Sequence, residues 1–206
     1  MKPPAARPKP PRKLPAWLER ARRLILQPTQ ELTVIAGEFT TAGPVFGKYV
    51  LAMAAIGPVA STLGGVVFGE RGSLPVLGTV PMSAGDAVQS GVLEYVLNLV
   101  GVYVFALAIA AIAGAIGGAK NRVQALKVAA YGSTPYWLAG VFAVFPKLEP
   151  IGMLFGLYSL RLFALGLSSV MKVPRDKIAA ATLLTSIAAV LIALVVGSIL
   201  TRVFIT

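Results

Sequence analysis

The chain contains no cysteine and no histidine. That excludes disulfides, thiolate nucleophiles, histidine metal ligands and imidazole acid–base chemistry, and it leaves the redox compartment open. Charge is scarce too: 13% of the 206 residues are Asp, Glu, Lys or Arg, against about 25% in an ordinary soluble domain. Eight residues are acidic, and apart from Glu94 none falls well inside a hydrophobic run. Proton relays and cation sites usually carry intramembrane acids, so a pump or ion-coupled transporter is poorly supported. Walker-type and dinucleotide motifs are missing, as are paired catalytic carboxylates. The expectation is a protein with no enzymatic activity, no cofactor and no metal.

What the chain has is apolar surface: 56% of residues are hydrophobic and mean hydropathy is +0.78. One helical span needs about 20 mainly apolar residues, and five runs qualify. They cover roughly 46–69 (with Pro58 inside), 90–117, 127–145, 151–171 and 178–202. The third is the weakest, with Ser133, Thr134 and Pro135 at its middle. Between the first two lies a loop holding Gly72, Pro75, Gly78, Pro81 and Gly85. The predicted fold is all-α: a polytopic integral membrane protein with a five-helix domain over 46–206. Amphipathic interfacial segments over 14–45 and a basic, proline-rich tail over 1–13 precede it.

Net charge is +11, and eight of the 19 Lys and Arg fall in the first 23 residues beside a single acid, Glu19. Ahead of hydrophobic spans, such a tail has an anionic leaflet as its simpler partner than nucleic acid. Residues 1–13 (MKPPAARPKPPRK) favour an extended, solvated arm, either an electrostatic tether or a dedicated partner-binding element. From Leu14 to Leu26 the pattern turns helical, with Leu14, Trp17, Leu18, Ala21, Leu24 and Ile25 on one face. Glu19, Arg20, Arg22 and Arg23 also break the apolar core that a cleaved secretory signal needs, so this end reads as retained. Pro28 should end the helix, and a second short segment follows over about 30–39. Lying in the interface, the first segment would set Trp17 at headgroup level. Arg12, Lys13, Arg20, Arg22 and Arg23 would then face anionic lipid or a partner. The plainer alternative is that both segments pack on the bundle.

Charge bias orients the spans. With the tail inside, Lys120, Arg122 and Lys127 are inside, as are Lys172, Arg175 and Lys177. The opposite side holds Arg71, Lys147 and Arg202, near acids. The positive-inside rule is met at every loop, with the N-terminus cytoplasmic and the C-terminus outside.

Small residues recur every four positions: Gly57, Ser61, Gly65 and Gly69; Ala106, Ala110, Gly114 and Gly118; Gly152 and Gly156; Ala181, Thr185, Ala189, Ala193 and Gly197. These stripes suit close helix packing within the chain, or contacts between copies. Among polar residues, Arg161 lies near the middle of the fourth run, where an Arg costs about 2.5–3.5 kcal/mol to insert. At 1.5 Å rise per residue Arg161 lies roughly 15 Å, and Asn98 roughly 12 Å, below the outer edge. Glu94 shares a face with Asn98, so a polar cluster of Arg161, Asn98 and Glu94 is expected. An inter-subunit contact or a lipid phosphate for Arg161 is the alternative. The polar centre of the third run, Tyr131 to Tyr136, should hydrogen-bond to helix carbonyls near Pro135.

Three stretches resemble the YIP family of Ypt/Rab-interacting membrane proteins, and especially its bacterial inner-membrane branch. They are residues 26–36 (LQPTQELTVIA), residues 130–140 (AYGSTPYWLAG), and GLYSL at 156–160 with MKVPRDKI at 171–178. The resemblance implies a five-helix fold with a cytoplasmic N-terminus. Eukaryotic members are tied to Rab GTPases and vesicle traffic; the proline-rich tail and Arg161 depart from many relatives, so Rab binding is not carried over. The expected function is a non-enzymatic scaffold or accessory subunit in a bacterial inner membrane. It would hold anionic lipid or other membrane subunits through its basic arm, with self-association open. The alternative is a small-solute or lipid transport component built around Arg161.

Overall fold

The computed structural model describes residues 14–72 and 79–204. The tail over 1–13, including the candidate residues Arg12 and Lys13, lies outside the described residues.

Two short helices open the chain. Helix α1 (Ala16–Leu26) ends where Gln27 leaves helical geometry, and Pro28 begins α2 (Pro28–Gly37). Proline fits a first helical position, where its missing N–H has no partner to lose. The apolar side of α1 is covered by the bundle, with Ala21 and Leu24 fully buried, and α2 buries Leu32 and Ile35 in the same way. The plainer sequence alternative therefore describes this pair: both helices pack on the bundle.

Helix α3 (Ala42–Phe68) contains a π turn at Phe46–Val50 and a break at Ala55. The break falls beside Pro58, whose ring crowds the carbonyl four residues back. Gly69 closes the helix in the left-handed conformation at φ 66° and donates to the Gly65 carbonyl, the usual glycine stop. A small antiparallel hairpin follows, β1 (Glu70–Gly72) on β2 (Thr79–Pro81), where the sequence suggested a plain loop. Ser83 caps α4 (Ala84–Ala115) by accepting from the Asp86 N–H at 3.1 Å. That cap explains why α4 starts six residues earlier than its hydropathy.

The third and fourth apolar runs are broken helices. Asn121 caps α5 (Arg122–Gly132); Ser133 interrupts it; α6 (Thr134–Ala139) and a 3-10 turn over Gly140–Val144 complete the run. Pro135 cannot donate to Tyr131, and the Thr134 hydroxyl does so instead at 2.7 Å, as expected for the polar centre. Leu157 separates α7 (Glu149–Gly156) from α8 (Tyr158–Ser169), and α9 (Ile178–Phe204) ends the described chain.

Among the described residues, three helices are long and apolar enough to cross a membrane: Ala42–Phe68, Ala84–Ala115 and Arg175–Phe204. Together with the family match reported below, they make this an integral membrane protein. Helix α5 runs through the middle, with residues 125–132 all buried, which accounts for the weak hydropathy of a segment that faces protein rather than lipid. Close approaches are made by glycine. A Cβ on Gly140 would stand 2.8 Å from the Cα of Gly57, and one on Gly64 would stand 2.6 Å from the Val144 carbonyl oxygen. The tip of the broken pair reaches the far end of α3, where the Phe145 and Phe68 rings lie 5.7 Å apart.

Candidate functional site

The densest polar constellation lies where α1 and α2 meet α3 and α5. Arg20 turns inward from α1, and its guanidinium donates to both carboxylate oxygens of Glu38, at 2.8 and 2.5 Å. It also lies 5.4 Å from the Tyr131 ring centroid, a cation–π distance. Its Nε is 3.5 Å from Glu31. Arg23, one turn on, donates to Glu31 at 2.8 Å and to Glu19 at 3.1 Å. Glu31 is 5% exposed, and its Oε1 has no hydrogen bond among the described residues; the nearby Arg20 charge compensates that oxygen. The hydrogen bond from Arg20 holds the Glu38 carboxyl below the usual carboxylate range, and the same bond pushes the Arg20 guanidinium further up.

Lys127 is 1% exposed, and its ammonium donates to the carbonyls of Ile35 at 2.8 Å and Glu38 at 2.7 Å. These carbonyls close α2, the Ile35 oxygen also accepting from the Glu38 N–H at 3.3 Å, and a cation there meets the negative end of the helix dipole. A buried ammonium without such partners would cost several kcal/mol. Lys127 therefore pins α2 to α5 and is not a free charge of the inner loop. Beneath it the Tyr49 and Thr134 hydroxyls lie 2.7 Å apart, with Tyr49 stacked at a tilt 4.7 Å from Tyr131.

Between α1 and the start of α3 this arrangement leaves an open cavity of about 220 Å³. Trp17, Arg20, Glu38, Lys48, Tyr49 and Tyr131 line it. Lys48 is exposed and makes no hydrogen bond or ion pair among the described residues.

The residues expected to face lipid thus divide. Arg22 is exposed and fits that reading. Arg20 and Arg23 are paired with Glu38, Glu31 and Glu19, and Arg20 also lines the open cavity beside Lys48. Trp17 is half-buried against the core.

The structure does not assemble the expected cluster of Arg161, Asn98 and Glu94. Arg161 is exposed, with its guanidinium 5.8 Å from the Tyr158 ring. Phe163 packs on Phe105 of α4; Arg161, two positions earlier and so roughly 200° away around α8, points outward. The Tyr158 hydroxyl donates to the Ile25 carbonyl of α1 at 3.2 Å. Arg161 therefore stands one turn from the end of α1, on the outside of the bundle, and not across from α4. Glu94 accepts from Ser61 at 3.0 Å, beside the Gly57–Gly140 crossing. Asn98 is half-buried and bonds to neither.

Glu31, Glu38, Lys127 and Tyr131 escaped the sequence reading as site residues. Their one advance sign is that Glu31 and Glu38 are seven apart, on one side of α2, opposite an arginine-rich α1. A family model, the Yip1 domain, matches residues 22–197. No curated protein and no solved structure matches the chain.

Proposed function

The chain belongs to the Yip1 domain family, and from that premise we propose that it is a non-enzymatic membrane scaffold or accessory subunit. In this reading the bundle is a platform that presents the basic arm to other membrane subunits and to anionic lipid. The observation that carries it is the anchoring of α1 and α2. Arg20 on Glu38 ties the two helices to each other, and Lys127 on the end of α2 and Tyr158 on the end of α1 fix the pair to α5 and α8. Helix α1 begins at Ala16, so the arm is attached to a helix held against the bundle, which gives a docking element a firm base. The transport alternative draws less support, since Arg161 is exposed beside Tyr158 while Glu94 bonds to Ser61.

We further propose five crossings with a cytoplasmic N-terminus, in a bacterial inner membrane. Residues 122–144 and 149–169 are each long enough, on the order of 30 Å, to match the hydrocarbon core. The contact of Phe145 with the last residue of α3 supports a pair that runs the full depth. Lys120, Arg122, Lys172, Arg175 and Lys177 are all exposed on the side assigned to the cytoplasm, in keeping with positive-inside bias.

Removing the arm together with α1 would tear out buried Ala21 and Leu24, so the test keeps the full chain. Lys2, Arg7, Lys9, Arg12 and Lys13 are replaced by Gln, and tagged wild type and variant are recovered from native membranes in a gentle detergent. Partners that co-purify stoichiometrically with wild type and are lost from the variant support the reading. Recovery of the chain alone in both cases sinks it.

A further inference from the structure

The cavity beside Lys48 lies in the wall of the bundle where α1 meets the first long helix. At about 220 Å³ the cavity has room for a phosphate group with a few waters. Its electrostatics select an anion. Glu38, the carboxylate in the wall, is already paired with Arg20. The Lys127 charge is buried behind it. Lys48 adds an exposed ammonium that is not bonded to any described residue.

A second feature separates a lipid from a free anion. Along α3 from Lys48, Leu51, Ala55, Val59, Leu63 and Val66 recur at three- and four-residue spacing, the repeat of one helix face. Leu51, Val59, Leu63 and Val66 are 39%, 56%, 52% and 47% exposed. They belong to a helix long and apolar enough to cross a membrane, so this strip contacts hydrocarbon. A cation at the end of a lipid-facing strip lies at headgroup level, and the cavity opens beside it with Trp17 on its rim, a residue suited to the interface.

We propose that this cavity binds the phosphate headgroup of an anionic glycerophospholipid, with its acyl chains lying along the Leu51–Val66 strip. Lys48 is the primary ligand, and Arg20, held in place by Glu38, supplies the second positive edge. The inference rests on the lipid half of the proposed function, but on Lys48 and not on the arm. The site therefore holds a single lipid in one place, whereas the arm would respond to surface charge in general.

The test is native mass spectrometry of the full chain in mild detergent, titrated with phosphatidylglycerol or with phosphatidylcholine of the same chain length. Wild type should retain one phosphatidylglycerol. Lys48→Glu should weaken that binding by at least about tenfold, the scale of one lost charge-assisted hydrogen bond, without lowering the thermal midpoint. Ala16→Phe, which fills the rim from an exposed position, should weaken it too, while Lys172→Glu in a distant exposed loop should not. Equal retention by Lys48→Glu and wild type overturns the proposal. So does equal binding of phosphatidylcholine, or displacement of the lipid by inorganic phosphate at matching concentration, which would mark a free-anion site. Lipid retention by the variant with five Gln in its arm keeps the site standing even where that variant loses no partner and the docking reading fails.

Discussion

Arg20 and Arg22 are two positions apart, roughly 200° around α1, and the angle gives them opposite roles. Arg22 points away from the bundle, while Arg20 reaches Glu38, Glu31 and Tyr131. The pair of Arg20 with Glu38 is partly exposed, at 21% and 31% of side-chain area, so its worth is set by geometry more than by Coulomb energy. Its pH dependence has a definite sign. The Glu38 carboxyl titrates below its unfolded value because Arg20 hydrogen-bonds to its charged form. Its contribution is therefore complete above the unfolded value of about 4.3 and disappears as pH falls through the lower folded value. Arg20 stays charged throughout. Glu38→Gln should cost about 1–2 kcal/mol at neutral pH, read as a lower thermal midpoint in detergent. The gap to wild type should close on acidification below about pH 4; a gap that stays constant down to pH 3 would remove Glu38 from the account. The sequence marked Arg20, Arg22 and Arg23 as cationic and placed them on a helix. It did not show which of them faces Glu31 and Glu38, because that depends on how Gln27 and Pro28 turn the chain between α1 and α2.

Among elements, all five apolar runs were legible in the sequence; what it did not show was where the third and fourth break. Helices α3, α4 and α9 are continuous apolar runs whose hydropathy alone marks them. The third run read as weak because its centre is polar and because α5 is enclosed by protein. Burial inside a bundle removes the need for an apolar surface facing lipid, and with it the signal that hydropathy detects. The small-residue stripes foretold close packing but not which stripe meets which helix. Gly57 meets Gly140, Gly65 meets Ala87, and Gly64 lies under the carbonyls of Ala143 and Val144. In the stripe of the last helix Ala181 and Thr185 are buried while Ala193 is exposed, so the stripe is not used evenly within the chain. These contacts predict opposite outcomes for one substitution type. A Cβ at Gly64 would be forced against backbone oxygens at 2.6 and 2.7 Å, and Gly64→Ala should destabilise the bundle by about 1–3 kcal/mol, the scale of an overpacked core. At Gly47 nothing lies within 4 Å, so Gly47→Ala should be neutral or stabilise by up to about 1 kcal/mol through helix propensity. Thermal unfolding of the two variants in one detergent checks the contrast. Equal midpoints would mean that the crossing relaxes freely.

For the whole molecule the open choice is whether the two broken helices cross the membrane or enter and return. Counting long helices gives three crossings, and counting apolar runs gives five; both put Lys120 and Lys172 on the same side. The residue that separates them is Lys147, at the tip of the broken pair. In a three-crossing protein the pair would begin and end at the inner surface, with its tip inside the bilayer, where an exposed lysine is costly. The tip instead touches the far end of α3: Phe145 packs on Phe68, and Lys147 is exposed beyond it. Each arm of the pair is also on the order of 30 Å long, as a full crossing requires. The lack of native cysteine makes the question directly measurable with single substitutions. Lys120→Cys, Lys172→Cys, Lys147→Cys and Pro81→Cys are each exposed positions that a membrane-impermeant maleimide can reach from one side. In sealed vesicles of known orientation, positions 120 and 172 should label from the cytoplasmic side, and positions 81 and 147 from the opposite side. Cytoplasmic labelling at 147, or none from either side with position 81 still labelled, would reduce the fold to three crossings with a re-entrant pair. The positive-inside account of the loops would survive that result, since the side of Lys120 and Lys172 does not change. The platform would then present a polar hairpin tip within the bilayer.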